Sequence, residues 1–264
     1  SELAQKSLQG CNVKLAQSWP YPNLKSAERA KLYCLENSKG IAIIKKVLGL
    51  HCLITNKDTT PFAKAFWQHS GLGASSRQAA IALNKEKSPS KNEGSRARKE
   101  LIERLSSIYK CDSDLIQLSP SGMASLTTAL RIIRTVRPHG KFLQLGFPYV
   151  DVLKLPQEIF GGCDLLIETK EEDLRIALNQ REPAAIIVEL PSNPMLMSVD
   201  LKTVSKIAHE KGIPLIADDT IGSAVNIDPI PYADMIFSSL TKSFAGRGDI
   251  LAGSLIISPE SPWK

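Results

Sequence analysis

The sequence lacks the features that mark several special classes of protein. No stretch of about 18 consecutive apolar residues occurs, so no membrane-spanning helix is indicated. The five cysteines are odd in number, widely spaced and without a CxxC pair, which argues against a disulfide framework or a zinc site. Reduced thiols of this kind favour the cytoplasm. No signal peptide is visible, although the chain starts at Ser1 rather than at a methionine.

Dense positive charge is also lacking. The net charge is +6, but it is spread over the chain without the basic run or stripe that nucleic-acid binding requires. We therefore expect small-molecule ligands, and neither a nucleic acid nor a membrane as partner. With 264 residues, 43% of them hydrophobic, the chain is long enough for one large or two modest domains with an ample core.

The pattern along the chain predicts three parts. Residues 1–70 read as a structural α/β segment, with a turn at 19–22, a helix at 27–36 and strands at 41–47 and 52–55. Residues 71–95 read as loop and exposed linker, and a flexible loop over 66–77 is expected to present Arg77 to an anion. Residues 96–264 open with a helix that has leucines and isoleucine at helical spacing.

The third part alternates strands with helices. Strands are predicted at 115–118, 141–145, 164–167, 184–189, 214–217, 235–237 and 251–257, and helices at 123–136, 174–179 and 201–211. This alternation favours a mostly parallel sheet covered by helices on both faces. In such sheets ligands bind beyond the carboxyl ends of the strands, so residues just after each strand are the candidate site.

Two strand ends carry residues suited to an anion and to a planar ring. Ser121, Gly122 and Met123 open a helix, where backbone N–H groups favour a phosphate. A plain helix cap by Ser121 is an equally valid interpretation. Tyr149 follows the next strand and is suited to stacking on a ring, although a packed loop aromatic is the simpler alternative.

Two further strand ends carry an amide and a carboxylate. Asn193 lies between Pro191 and Pro194, which fix its backbone so that the amide can be aimed at a ligand oxygen; an ordinary proline turn is the alternative. Asp218 ends a buried strand, and a carboxylate there needs a cationic partner such as a protonated ring nitrogen. A helix cap or a salt bridge would also satisfy it.

Lys242 follows the last strand end, in a turn rich in hydroxyl groups. Ser238, Ser239, Thr241 and Ser243 surround it, and partial desolvation there would lower the pKa of the amine and make it a nucleophile. A solvated turn lysine is the alternative. A phosphate seat, a stacking ring, an amide, a carboxylate and a lysine are together the groups that hold pyridoxal 5′-phosphate.

These motifs resemble the Cys/Met-metabolism class of pyridoxal-phosphate enzymes. Four segments carry the resemblance: Ser121–Met123, residues 189–194, residues 218–220 and residues 239–242. The resemblance implies a three-layer α/β/α, aspartate-aminotransferase-like fold (fold type I). The loop sequences are similar to those of fungal-type cystathionine γ-synthases.

The resemblance also implies roles for single residues. Lys242 attaches the cofactor, Asp218 faces its ring nitrogen and Asn193 its ring hydroxyl. Tyr149 stacks on the ring and takes part in catalysis. The remaining expected cofactor contacts are Ser121, Gly122, Met123, Thr220, Ser239 and Thr241.

The chain departs from the class at several points. The tyrosine of a Y-x-R segment, which reaches the neighbouring subunit's phosphate, is absent, and Arg77 and Arg96 are the two candidates for its arginine. Asp219 stands where the class has asparagine. The chain stops at Lys264, so we expect the class's C-terminal domain, with its substrate-carboxylate arginine, to be missing.

The implied activity is γ-replacement, in which cysteine displaces the acyl group of an O-acyl-homoserine to give cystathionine. The resemblance also implies a homodimer or homotetramer with the active site at the subunit interface. A cystathionine lyase or a homoserine sulfhydrylase remains open within the same class. A truncated, non-catalytic homologue that assembles with a full-length subunit is a third hypothesis.

Overall fold

The structure, a computed structural model, describes residues 2–14 and 16–264. Contacts divide the chain into two units, one up to Lys91 and one from Asn92 to Lys264, and each is described by itself below. The division into residues 1–70, 71–95 and 96–264 stays a prediction. Among the described residues, no helix has both the length and the apolar character needed to span a membrane.

The N-terminal unit is a small antiparallel sheet with helices. The elements are α1 (Glu2–Leu8), β1 (Gln17–Tyr21), α2 (Leu24–Asn37), β2 (Ala42–Val47), β3 (Leu50–Thr55), α3 (Thr60–Ser70) and α4 (Ser76–Ala82). The strand order is β1-β3-β2, so β3 is central and pairs antiparallel with both neighbours. The predicted helix and the two predicted strands of this unit lie where expected.

Two predictions for this unit are wrong. Residues 19–22 are not simply a turn, because β1 runs through Trp19 to Tyr21, and Pro20 is tolerated because β1 is an edge strand. Residues 66–77 are not one flexible loop, because α3 and α4 cover most of them. Arg77 lies inside α4, 3.8 Å from Glu86 in an exposed ion pair.

The larger unit begins with a long helix and continues with the predicted alternation. Its elements are α5 (Lys91–Tyr109), a short 3-10 turn (Ser113–Leu115), β4 (Ile116–Ser119), α6 (Gly122–Val136), β5 (Phe142–Leu145), α7 (Val150–Ile159), β6 (Cys163–Leu166), α8 (Glu171–Gln180), β7 (Ile186–Glu189), α9 (Leu201–Glu210), β8 (Leu215–Asp218), α10 (Ser223–Asn226), β9 (Met235–Ser238) and β10 (Gly253–Ile257). Every strand predicted here is present, while α7 is an additional helix.

The seven strands form one mostly parallel sheet in the order β4-β10-β9-β8-β7-β5-β6. Five neighbouring strands, from β9 through β6, are parallel, whereas β10 runs antiparallel to both β4 and β9. The carboxyl ends of β4, β5, β7, β8 and β9 therefore meet at one edge. This is the edge at which the sequence places its candidate residues.

Alternating side chains of the strands build two cores, one on each face. Ile186, Leu215 and Ile236 pack in a cluster with residues of α5, α8 and α9. Ile187 and Ile216 pack in a second cluster with residues of α6 and α7. This confirms a three-layer α/β/α fold. The alternation also places Glu189 and Asp218 on the α6/α7 side and Asp219 on the opposite side.

Candidate active site

Asp218 ends β8 and is buried at the carboxyl edge of the sheet. It lies in register with Glu189 of β7 and with Phe237 of β9. Its Oδ1 accepts a hydrogen bond of 2.9 Å from the backbone N–H of Thr220. Burial raises the pKa of Asp218 to about 8, with smaller contributions in the same direction from the charges of Glu189 and Asp219.

Three buried carboxyl groups at this edge have no cation beside them. Glu189, Asp218 and Asp219 are 5%, 4% and 0% exposed, and burial raises the pKa of each one. In the described part of the chain, no ion pair involves any of the three. An uncompensated buried carboxylate is costly, so this cluster is suited to a ligand that brings a positive charge.

The N-terminus of α6 forms the next part of the site. Ser121 caps the helix, because its Oγ accepts a 3.1 Å hydrogen bond from the N–H of Ala124. The cap interpretation is therefore correct. It is compatible with an anion site, since the N–H groups of Gly122 and Met123 lie in the first turn, where no intrahelical acceptor is available.

Two glycines bring this helix end against the strand ends. A Cβ on Gly122 would lie 2.7 Å from Cβ and 2.9 Å from Cα of Ser239, and a Cβ on Gly253 would lie 2.3 Å from the carbonyl oxygen of Ser121. Neither approach leaves room for a side chain. The start of α6 is thereby packed directly onto the segment that leads from β9 to Lys242.

Hydroxyl groups tie the remaining turns together. The N–H of Ser239 donates to Oγ1 of Thr220 at 2.9 Å, which links the turn after β9 to the turn after β8. Thr241 Oγ1 accepts from the N–H of Ala252 at 3.2 Å and donates to its carbonyl at 3.3 Å, so it fixes the chain just before β10. The structure thus joins Asp218, Thr220 and Ser239 in one continuous set of contacts.

Lys242 lies four residues beyond the end of β9 and is exposed. Its backbone N–H donates to the carbonyl of Ser239 at 3.1 Å, and its own carbonyl accepts from Gly246 at 2.9 Å. The expectation that surrounding hydroxyls desolvate this lysine is wrong, because Lys242 and the neighbouring Ser243 are both exposed. Within the described residues its ammonium group has no hydrogen-bond or ion-pair partner.

Glu189 connects the two loops that carry Tyr149 and Asn193. Its Oε2 accepts a 2.7 Å hydrogen bond from the N–H of Tyr149, and its carboxylate also accepts from the backbone N–H of Asn193. The side chains of Tyr149 and Asn193 are themselves exposed. Glu189 was not among the predicted site residues, although its position at the end of a buried strand was a usable signal.

The phenol of Tyr149 is held in place by a neighbour on α7. Its hydroxyl donates to Oδ2 of Asp151 at 2.9 Å. Burial, together with this carboxylate, raises the pKa of the Tyr149 phenol. The phenol therefore stays neutral, and Tyr149 is 40% exposed.

The two candidate arginines are both exposed on helices. Arg96 is exposed on α5 and lies 3.5 Å from Glu100 in a pair one helical turn apart. It is 13 positions before Tyr109, about 20 Å along the helix axis. Arg77 belongs to the other unit. The role of these two arginines in binding the phosphate stays a prediction, and it involves a second subunit.

Comparison with known families gives the decisive observation. Residues 90–264 match the family described as "Cys/Met metabolism PLP-dependent enzyme", which is more than half of the chain. The chain belongs to this family. Residues 1–75 match the domain described as "Fungal trans-sulfuration enzyme, N-terminal domain". The cofactor of the Cys/Met-metabolism family is pyridoxal 5′-phosphate.

Individual members of the family are similar over part of the chain. "Cystathionine gamma-synthase-like enzyme iboG2" of Amanita muscaria is 35% identical over 54% of this chain and 25% of its own length. "Cystathionine gamma-synthase" of Saccharomyces cerevisiae is 35% identical over 54% of this chain and 26% of its own length. The chain therefore matches about a quarter of the length of these relatives.

Solved structures of the family share the fold. The structure of "apo CalE6, a methionine gamma lyase from Micromonospora echinospora" has 28% sequence identity and a TM-score of 0.53, covering 62% of this chain and 44% of that one. This similarity agrees with the parallel sheet and the flanking helices of the larger unit.

The residues of this Cys/Met-metabolism chain fit pyridoxal 5′-phosphate. The buried carboxyl of Asp218, without a cation, suits the protonated ring nitrogen, and the start of α6 suits the phosphate. Ser239 lies against Gly122, so the turn that carries Lys242 and the start of α6 are neighbours. These groups come from the end of β8, the start of α6 and the turn after β9.

Proposed function

We propose that this chain is the cofactor-binding part of a trans-sulfuration enzyme of the cystathionine γ-synthase type. In the proposed reaction the carbon–oxygen bond at Cγ of an O-acyl-homoserine breaks, the acyl group leaves as a carboxylate, and the sulfur of cysteine bonds to Cγ to give cystathionine. The single observation that supports it most is the buried carboxyl of Asp218, which has no ion-pair partner among the described residues. The similarity of the chain to a cystathionine gamma-synthase and to a cystathionine gamma-synthase-like enzyme supports the same reaction.

Lys242 would perform the proton transfers. When bound, pyridoxal 5′-phosphate supplies an electron sink for the charge that develops on the substrate carbon next to the amino group. The Nζ of Lys242 would hold the cofactor covalently and, once displaced by the substrate amine, would take the proton from that carbon and return it later. Its exposed position beyond β9 leaves the amine free to do both.

The remaining residues would bind and orient the cofactor. Asp218 would hold the proton on the ring nitrogen, and Glu189 would fix the loops of Tyr149 and Asn193 so that one stacks on the ring and the other faces its oxygen. The phosphate would receive hydrogen bonds at the start of α6 and in the two following turns. The residues proposed there are Ser121, Gly122, Met123, Thr220, Ser239 and Thr241.

An arginine from a neighbouring subunit completes the proposed phosphate site. Arg77 and Arg96 are the candidates, and both are exposed on helices. The proposed assembly is therefore a homodimer or homotetramer with the active site at the subunit interface. We place the enzyme in the cytoplasm, which suits the five free cysteines among the described residues.

Covalent labelling tests the proposal. The purified chain is incubated with pyridoxal 5′-phosphate, reduced with borohydride and analysed by peptide mass spectrometry. We expect the pyridoxyl group on Lys242 in the wild type and in Lys206→Ala, a control in which an exposed lysine of α9 is removed. Lys242→Ala should carry no label at the site. Unchanged labelling of that variant, or an unlabelled wild type, would overturn the proposal.

A lyase or a homoserine sulfhydrylase is the second candidate, favoured by the similarity to the structure titled methionine gamma lyase. Product analysis separates the reactions. With an O-acyl-homoserine and cysteine we expect cystathionine as the main product. Homocysteine formed preferentially with sulfide would favour the sulfhydrylase, and breakdown of cystathionine would favour the lyase. Labelling of Lys242 without turnover of any of these substrates would favour a non-catalytic partner.

A further inference from the structure

A buried hydrogen bond lies directly behind Asp218. The hydroxyl of Tyr109, at the end of α5, donates to Oδ2 of Asp219 at 2.6 Å. Tyr109 is 7% exposed and Asp219 is 0% exposed, so neither group is solvated. The two residues are 110 positions apart in the sequence, and only the packing of α5 under β8 brings them together.

The groups around Asp219 leave its charge without a counter-ion. Asp218 and Glu189 are the neighbouring acids, and Tyr109 and Ser238 contribute only hydroxyls. Burial raises the pKa of Asp219 to about 6, while the two hydroxyls favour its charged form. Burial and the nearby Asp219 raise the pKa of Tyr109 well above its usual value, so the phenol remains a neutral donor.

The side chains of adjacent strand residues point to opposite faces of the sheet. Asp218 therefore faces the α6/α7 side, while Asp219 faces α5 and cannot touch a cofactor on the other side. An asparagine at position 219, as the family resemblance implies, would be neutral. In this chain the same position carries a carboxyl that a tyrosine holds in place.

We infer that the Tyr109–Asp219 pair is a positioning element of the cofactor site, in which Asp219 supplies a second buried negative charge that helps Asp218 to keep the ring nitrogen protonated. This inference rests on the proposed function. Charges in a poorly solvated interior interact strongly over several ångströms. A positive ring nitrogen is therefore stabilised by both carboxylates, although only Asp218 contacts it.

Two ligands that differ at the ring nitrogen provide the test. The affinity of the full chain is measured by equilibrium dialysis for pyridoxal 5′-phosphate and for its 1-deaza analogue, in which a C–H group replaces that nitrogen. Asp219→Asn should weaken binding of the first ligand on the order of tenfold and leave binding of the second unchanged or tighter. The amide of Asn can still accept the Tyr109 hydroxyl through its oxygen, so the local packing is preserved.

Tyr109→Phe provides an independent variant. It removes the donor that favours the charged form of Asp219. We expect a smaller loss of affinity than in Asp219→Asn, and only for pyridoxal 5′-phosphate. Equal losses for both ligands would mean that the pair is only structural, and no loss for either would also overturn the inference. The inference alone would be overturned by the following result. The wild type binds pyridoxal 5′-phosphate and is labelled on Lys242, but Asp219→Asn leaves the ratio of the affinities for the two ligands unchanged. A wild type that binds neither ligand would overturn the proposed function with it.

Discussion

The three buried carboxyl groups dominate the chemistry of individual residues in this protein. Glu189 and Asp218 lie side by side at the ends of parallel strands, and Asp219 follows on the other face. Burial raises the pKa of each of these groups, since ionisation without a partner is unfavourable in a poorly solvated interior. The free energy of unfolding of the cofactor-free chain should therefore depend on pH.

Asp218 should make the cofactor-free chain less stable as the pH rises. Its pKa is 3.8 before folding and about 8 in the folded chain, so between these values the unfolded chain binds fewer protons. The free energy of unfolding then falls with pH, by up to about 1.4 kcal/mol per unit for one group. The free energy of unfolding of Asp218→Asn and of the wild type is measured with urea at about pH 5 and about pH 7. The difference between the two proteins should shift in favour of Asp218→Asn by about 2–3 kcal/mol from the lower to the higher pH.

Glu172→Gln is a suitable control for this experiment, because Glu172 is exposed on α8. Its free energy of unfolding should change between the two pH values by the same amount as that of the wild type. If Asp218→Asn also runs parallel, the carboxyl is not carrying a proton in the folded chain. Saturating pyridoxal 5′-phosphate should reduce the difference between wild type and Asp218→Asn, since a ring cation would compensate the carboxylate.

At the scale of elements, the start of α6 depends on how closely two backbones approach. Gly122→Ala should cost about 1–3 kcal/mol, because the new Cβ would lie 2.7 Å from Cβ of Ser239. Gly253→Ala should cost more, because its Cβ would lie only 2.3 Å from the carbonyl oxygen and 2.4 Å from the carbonyl carbon of Ser121. Thermal or urea unfolding of each variant measures these losses.

Gly94→Ala is the matched control for the glycine variants. Gly94 lies in α5 with no atom within 4 Å of an added Cβ, and it has no positive φ. Alanine there should raise the stability by about 0.5–1 kcal/mol, because it favours the helix. A Gly253→Ala chain as stable as the wild type would contradict the close approach of β10 and Ser121.

The elements themselves were largely predictable, with exceptions that involve proline. The alternation of apolar and polar segments located all seven strands of the larger sheet. Pro20 favoured a turn where β1 runs as an edge strand, and α7, which contains Pro156, was not predicted. Local sequence indicates that proline disfavours regular structure, but only the neighbours of a strand reveal that it is an edge.

At the scale of the whole molecule, the two units meet in sequence near an exposed segment. Residues 85–90 contain neither helix nor strand, and all of them are exposed. Unstructured exposed segments are the preferred sites of proteolysis. Limited digestion with trypsin should therefore cut first after Lys87, giving fragments of residues 1–87 and 88–264 that mass spectrometry identifies.

Lys85→Gln/Lys87→Gln should slow this first cut, because both tryptic sites within the segment are removed. Lys39→Gln, which changes a lysine between α2 and β2, should leave the digestion pattern unchanged. An initial cut inside α5 or inside the larger sheet would contradict the division into two units near Lys91.

By itself, the sequence determined the order of elements, the parallel sheet and the chemical types of residue at each strand end. These are local properties, because side-chain periodicity and turn residues act over a few positions. Only the tertiary structure decided that Lys242 is exposed, that Glu189 joins two loops, and that Tyr109 reaches Asp219. Burial and long-range hydrogen bonds depend on which elements become neighbours, and no single segment of the chain contains that information.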